Sequence, residues 1–326
     1  MSFQNLNTDF NFDLEEMREF GSLLGENKLK FPIQFLNEAA GGIYRSDIIV
    51  LTAYSGQGKT YLASSIALEN AKAGKNVYMF ALEAFKYEIQ LRNAFTIATS
   101  TYYQQHKQKM KMIFQWYLER QIPIEYLNYF LEAENACKVL NQNLKIKYMS
   151  KDYAIENFEK DLLSIDLSAD LIIIDHLQFF DFGNEKEYTA INKIVKRLRE
   201  LALLTGIPIV LVSHLRGRTL AHSNIIIPSA DELHGSSNIQ KIASKIITLA
   251  PNFCIEQRSS CEFPTLVRVC KNRYNGGVSK YVGLLNYDVR LNSYTTEYHL
   301  AKLNFSETKY EIINEDFPLW SRLCQK

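Results

Sequence analysis

Charge of one sign is what this 326-residue chain most plainly lacks: 37 Lys and Arg stand against 36 Asp and Glu, a formal net charge of +1. That balance excludes a histone-like or polybasic membrane-surface protein, so any anion the chain holds needs a local site. Cysteine is scarce and odd in number. Cys137, Cys254, Cys261, Cys270 and Cys324 contain no C-x-x-C pair, which argues against a disulfide framework or zinc ribbon and for inert thiols in a reducing compartment. With 14 Gly and 7 Pro the chain is not fibrous or low-complexity, and 47% hydrophobic residues suffice for a folded core. No apolar run reaches the roughly 18 to 20 residues of a membrane span. The acidic start MSFQNLNTDFNFDLEEMREF has neither the basic flank nor the apolar stretch of a secretory or transit peptide. The expectation is a cytoplasmic protein of a bacterial or virus-infected cell, with no membrane partner.

What is present is a succession of short apolar runs: Asp47–Ala53, Asn76–Leu82, Asp170–Asp175, Ile207–Ser213, Lys245–Ala250, Leu266–Val269 and Lys280–Asn286. Unbroken runs of this length mark strands buried on both faces, as in a mainly parallel sheet. Helical periodicity lies between them, most clearly over Tyr188–Leu204, where Ile191, Ile194, Val195, Leu198 and Leu201 share one face before Gly206 and Pro208 end it. The alternation predicts an α/β fold, a mainly parallel sheet flanked by helices. A C-terminal β-hairpin turning through Tyr274–Gly277 is expected at the sheet's edge. Two regions fall outside the rhythm. Residues 1–40 read as an N-terminal segment and candidate subunit-linking helix, with Leu14, Met17 and Phe20 in one amphipathic stretch and Ile33, Phe35 and Leu36 in another. Residues 101–148 read as a helical insertion outside the sheet, its body at about 104–140. There Lys107, Lys109, Lys111 and Arg120 interleave with Phe114, Trp116 and Tyr117, either as an added nucleic-acid or partner surface or as a solvated helix packed by its aromatics.

The stretch Ala53-Tyr54-Ser55-Gly56-Gln57-Gly58-Lys59-Thr60 follows the first strand and opens a helical run, the context of a Walker A phosphate loop. The turn Ser55-Gly56-Gln57-Gly58, small apart from Gln57, lets backbone N–H groups surround phosphate oxygens while the helix N-terminus adds its positive dipole end. Lys59 would reach the β- and γ-phosphates of ATP, and the Thr60 hydroxyl would ligate Mg²⁺. The first position is Ala where the general pattern has Gly. Asp175 ends a buried strand, where it can hold the Mg²⁺ from the other side. The next residue is His176, not a second carboxylate, so the base must come from elsewhere. Glu83, at the end of the second strand, would emerge at the ligand-binding edge of the sheet and is the candidate general base; a helix N-terminal acid for the run Tyr87–Ala98 is the other reading.

These residues resemble the RecA-like motor domain of ring-forming replicative helicases of the DnaB, Twinkle and phage primase-helicase group. Gly41-Gly42-Ile43 looks like the family's motif before the first strand, and the family's phosphate loop often begins with Ala. Phe80-Ala81-Leu82-Glu83 is similar to its strand ending in the catalytic Glu, and Ile174-Asp175-His176-Leu177-Gln178 to its Walker B segment. The resemblance implies that His214, in Val212-Ser213-His214-Leu215, senses the γ-phosphate. It further implies that Lys271 and Arg273 reach the neighbouring subunit's ATP, and that Tyr287 stacks on the adenine. Leu233-His234-Gly235-Ser236-Ser237 looks like the family's DNA-contacting Leu-Arg-Gly/Glu-Ser-Gly segment, with His234 in place of Arg and Ser237 in place of the second Gly. With the loops Phe180–Tyr188 and Arg216–Arg218, His234, Gly235 and Ser236 would face single-stranded DNA. The implied protein is an ATP- and Mg²⁺-dependent DNA helicase whose residues 41–326 form the motor domain, without the N-terminal primase region of many relatives. It would assemble as a homo-oligomeric ring, a hexamer by the resemblance, served by a separate primase or loader. A RecA-like ATPase without unwinding activity, acting in recombination, packaging or assembly, is the alternative.

Overall fold

The computed structural model describes residues 28–82, 86–148, 153–164, 168–177, 180–181, 183, 186–215, 226–233, 237–254, 260–274 and 276–313. All seven apolar runs lie in strands: β1 (Ile48–Ala53), β2 (Val77–Ala81), β4 (Leu171–Asp175), β5 (Ile209–His214), β6 (Lys245–Pro251), β7 (Glu262–Asn272) and β8 (Tyr281–Asp288). β1 and β4 are buried along their whole length, because apolar side chains on alternate positions meet different helices. Ile49, Leu51 and Ala53 face α2 (Lys59–Lys72) through Leu62, Ala63 and Ile66. Ile48 and Val50 face α7 (Glu187–Thr205) through Ile191, Val195 and Leu198.

The sheet runs β11 (Tyr310–Ile313)-β10 (His299–Leu303)-β8-β7-β6-β1-β5-β4-β2-β3 (Leu144–Tyr148). From β6 to β3 the pairs are parallel, and from β6 to β11 they are antiparallel. β7 and β8 form the expected hairpin, with a 3₁₀ turn over Gly276–Lys280 in the connection. The hairpin is not the edge: β10 (His299–Leu303) and β11 (Tyr310–Ile313) continue the sheet, and β9 (Ser293–Tyr294) pairs with β8. At the other end, β3 (Leu144–Tyr148) is a parallel edge strand, although 101–148 reads as lying outside the sheet. Its sequence, Leu-Lys-Ile-Lys-Tyr, buries only Leu144 and Ile146, so it lacks the continuous apolar run that marks a strand covered on both faces.

Residues 28–40 pack into the core of the sheet domain. Leu29, Phe31, Ile33, Phe35 and Leu36 are buried against the same face of the sheet as α2, and α1 (Gln34–Ala40) ends where Gly41 takes the left-handed conformation at φ 78°. The helical region comprises α3 (Lys86–His106), α4 (Phe114–Leu118) and α5 (Leu127–Leu140) and has its own apolar centre around Phe95, Met110, Met112, Tyr117 and Phe130. Tyr117 and Phe130 stack at 4.7 Å. Lys109 is held by Asp288 and by Glu262 at 2.8 Å, and Arg120 by Glu134 at 3.0 Å. The aromatics of this region are therefore largely packing groups, with Trp116 among the exposed exceptions. Two more elements complete the chain: α6 (Ile155–Ser164) and α8 (Ser237–Ile242).

Candidate active site

The parallel strands all point the same way, so their C-terminal ends form one edge, and the register brings Ala53 beside His214 and Ala81 beside Asp175. The phosphate loop starts from this edge. Gly58 caps α2 with φ 80°, and a Cβ at that position would lie 2.8 Å from the Tyr294 hydroxyl; glycine satisfies both constraints. The Lys59 ammonium is turned back onto the loop, donating to the carbonyls of Ala53 and Tyr54 at 3.1 Å each. Thr60 occupies the second position of α2. Asp175 is fully buried at the end of β4, and Leu82 N–H donates to its carbonyl at 2.6 Å. The Thr60 hydroxyl and Asp175 carboxylate are the hard oxygen donors that fit Mg²⁺, an ion that otherwise keeps its waters and phosphate ligands.

His214 ends β5, and its Nε2 lies 3.0 Å from Nε2 of His176, the residue after Asp175. One ring donates and the other accepts. Tyr287, at the end of β8, lies on this same edge. Its ring meets Tyr61 of α2 edge-on at 4.9 Å and Tyr294 at 5.4 Å, and its hydroxyl donates to Asn292 at 2.8 Å. Burial pushes the Tyr287 phenol up to about 12, so it stays neutral. Phe180, first residue of a loop expected to face DNA, instead turns into the core and stacks on Tyr153 at 5.9 Å.

Lys271 and Arg273 lie elsewhere. β7 runs antiparallel to β6, so its last residues return to the N-terminal edge: Asn272 pairs with Lys245, and Lys245 with Ile49. From Ile49 to the start of the phosphate loop at Ala53 is four residues, about 13 Å at the rise of an extended strand. Both cations reach the C-terminal carbonyls of α8. Lys271 Nζ donates to Gln240 O and to Lys241 O, and Arg273 Nη2 to Ile242 O at 3.3 Å. Burial, followed by the Arg273 charge, lowers the Lys271 pKa. Beside them Tyr274 donates to Asp47 at 3.2 Å. Asp47 is ion-paired with Lys245, both fully buried, and the Lys245 ammonium lies 4.4 and 4.8 Å from the ring centres of Tyr44 and Tyr274.

Residues 29–285 match the family model described as the DnaB-like helicase C terminal domain. The chain belongs to that family. Two solved structures share the fold. One, an ATPase domain, superposes with a TM-score of 0.70 at 17% identity, over 88% of this chain and 99% of that one. The other, "The Structure Of A DnaB-Like Replicative Helicase And Its Interactions With Primase", superposes with a TM-score of 0.71 at 18% identity, over 88% of this chain and 68% of that one. No curated protein matches the chain in sequence. The DnaB-like assignment makes this a replicative-type, ATP-dependent helicase motor on a RecA-like P-loop fold.

In this DnaB-like motor, Glu83, Arg216, Arg218, His234, Gly235 and Ser236 lie outside the described residues. Two further residues at the edge were not singled out from sequence as site residues. His176 could have been found from strand order, since it follows β4 as His214 ends the neighbouring β5. Glu232 is legible as the acid of a Ser-x-x-Glu capping box with Ser229, but its bond to the Tyr54 hydroxyl at 2.5 Å is non-local. Cys137, Cys254 and Cys270 are free thiols, and burial pushes the Cys137 thiol up to about 11, which leaves it inert near neutrality. No helix among the described residues is long and apolar enough to cross a membrane.

Proposed function

We propose that this DnaB-like motor works as a homohexameric ring translocating on single-stranded DNA, with each ATP held by one subunit's phosphate loop and completed by Lys271 and Arg273 of the next. The observation that carries the reading is the placement of these two cations on the sheet edge opposite their own phosphate loop, which favours action across a subunit boundary. Ser55 to Thr60 hold the phosphates, and Lys59 exchanges its two loop carbonyls for phosphate oxygens. Thr60 and Asp175 would hold Mg²⁺, which when bound would neutralise phosphate charge. Glu83, next in sequence after Leu82, takes the proton of the water that attacks the γ-phosphorus as the bond to the ADP oxygen breaks. His214 senses the γ-phosphate, Tyr287 borders the base, and Arg273 stabilises charge on the transferring group. Arg216, Arg218, His234, Gly235 and Ser236 contact DNA, phosphate by phosphate and without sequence preference. A separate primase or loader is the partner of such a cytoplasmic motor.

The test is strand displacement on a forked duplex with ATP and Mg²⁺, run beside ATPase assays with and without single-stranded DNA and a mass measurement of the assembly. DNA-stimulated hydrolysis, unwinding and a ring are expected. Stimulated hydrolysis without displacement would replace this reading with a DNA-associated ATPase that switches assembly.

A further inference from the structure

The phosphate loop is tied to the segment ahead of α8 by a polar contact spanning 178 residues. Tyr54, partly buried, donates its hydroxyl to Glu232 Oε2 at 2.5 Å. Glu232 is only 7% exposed, and its other oxygen accepts Ser229 N–H at 3.1 Å, closing the capping box of the short 3₁₀ turn Ala230–Glu232. Leu233, the next residue, is buried and bridges backbone-to-backbone with Leu215, which follows His214. Gln240 of α8 donates back to Ala230 O at 2.5 Å. One turn therefore meets the phosphate loop, the end of β5 and α8. A capping box works with Gln as well as Glu, so the cap alone does not call for an acid here. The acid has a second bond to make, and Tyr54 supplies it. Tyr54 is also the residue whose carbonyl accepts from Lys59 Nζ at 3.1 Å, which ties its backbone to the lysine expected to meet phosphate.

We propose that Tyr54 and Glu232 are a positioning pair through which occupancy of the phosphate loop sets the place of the turn 229–233, from which the DNA-contacting stretch starting at His234 follows directly in sequence. The pair thereby couples the affinities for nucleotide and single-stranded DNA. This rests on the ring-motor reading and adds the residues that link its two sites. A hydroxyl-to-carboxylate bond and typical coupling between sites are both large enough for loss of the contact to lower the coupling about tenfold.

The experiment uses the full chain with Mg²⁺. Binding of a fluorescent oligothymidylate is followed by anisotropy without nucleotide, with ADP and with a non-hydrolysable ATP analogue, and analogue affinity is measured with and without DNA. Reciprocity requires the same coupling factor from both directions. In Tyr54→Phe the factor should fall about tenfold toward one, and in Glu232→Gln, whose amide N–H can still donate to the Tyr54 oxygen but without the carboxylate's charge, about threefold. The double variant should be no worse than Tyr54→Phe, because no contact is left for the second change to remove. Glu232→Gln keeps the cap, and its affinities for each ligand alone should stay within about threefold of the original, a change smaller than a lost hydrogen bond. Unchanged coupling in folded Glu232→Gln and Tyr54→Phe overturns the inference while leaving the ring motor standing. A further loss of coupling when Glu232→Gln is added to Tyr54→Phe also overturns it, since the two residues would then act independently. Absence of DNA binding in the unaltered protein removes the ring-motor reading and the inference together.

Discussion

Asp47→Asn is the substitution whose consequence the structure specifies most fully. Asp47 and Lys245 are both fully buried and paired, and removing one partner of such a pair strands the other charge at a cost of about 3–5 kcal/mol. Asn retains an oxygen for the Tyr44 N–H, which Asp47 holds at 2.9 Å, and its amide N–H₂ can donate to the Tyr274 hydroxyl oxygen that now donates to the other Asp47 oxygen, so the low end applies, about 3 kcal/mol. An unfolding entropy of about 2.1 cal/mol/K per residue gives about 0.7 kcal/mol/K for this length, and hence a fall in Tm of about 4 °C by calorimetry. The loss should also depend on pH in a stated direction. Burial lowers the Lys245 pKa below its ordinary 10.5, against the opposing pull of Asp47, and removing that pull lowers it further. The unfolded chain then binds more protons than the native one between the lowered native value and 10.5, so the variant gains stability as pH rises through that window. Asp47→Asn/Lys245→Met, with no charge left to bury, should recover most of the loss. A Tm for Asp47→Asn within about 1 °C of the original, with a parallel pH profile, would refute the assignment of a stabilising buried pair.

Other perturbations separate the functional roles. Lys59→Ala should abolish productive nucleotide binding, whereas Glu83→Gln should bind ATP and stop hydrolysis; normal turnover in the latter, measured by phosphate release, assigns the base elsewhere. Arg273→Ala should lower turnover on the order of 10³-fold with ATP binding kept, and mixing it with Glu83→Gln subunits should restore hydrolysis only when mixed assemblies form. Asp288→Asn addresses acid stability: burial would raise that carboxyl, but hydrogen bonds from Arg290 and Lys109 outweigh it and hold the pKa below 3.8. The stabilisation is present above the unfolded value and is lost as pH falls through the depressed native one, so the variant's melting curve should be flatter than the original's below about pH 4.

The parts of the fold that could be read from residues are those where one physical demand acts alone. β1 and β4 are apolar except at Thr52 and Asp175 because helices cover both faces, and the phosphate loop needs small residues at fixed spacing before a helix. β3 was not legible because one of its faces, with Lys145 and Lys147, stays in water, and β11 because none of its four residues is buried. α1 was set apart because seven residues carry too little periodicity to show that Phe35 and Leu36 face the main core. In the site, Lys59 and Thr60 follow from the spacing of the phosphate loop, Asp175 from a strand end, and His214 from the family resemblance. The His176–His214 contact, the bond from Tyr54 to Glu232 and the ring-lined pocket of Lys245 join residues 38, 178 and more than 200 positions apart, and only strand order brings them together.

The reversal of β7 has a consequence beyond placing Arg273. It returns the chain to the N-terminal edge just where α8 ends, and the two cations settle on that helix's last carbonyls. α8 is six residues long, about 9 Å at 1.5 Å per residue. Ahead of it in sequence come His234, Gly235 and Ser236, and ahead of those the turn bonded through Glu232 to the subunit's own phosphate loop. Residues 229–242 thus have one end against the subunit's own nucleotide site and the other beside the cations proposed to enter the neighbour's, with the proposed DNA-contacting stretch between them. A displacement of the turn when Lys59 moves onto phosphate would be felt at Arg273 within one short helix, with no rearrangement of the sheet. In the proposed ring, that arrangement would let the nucleotide state of one subunit set both its grip on DNA and the hydrolytic competence of the next.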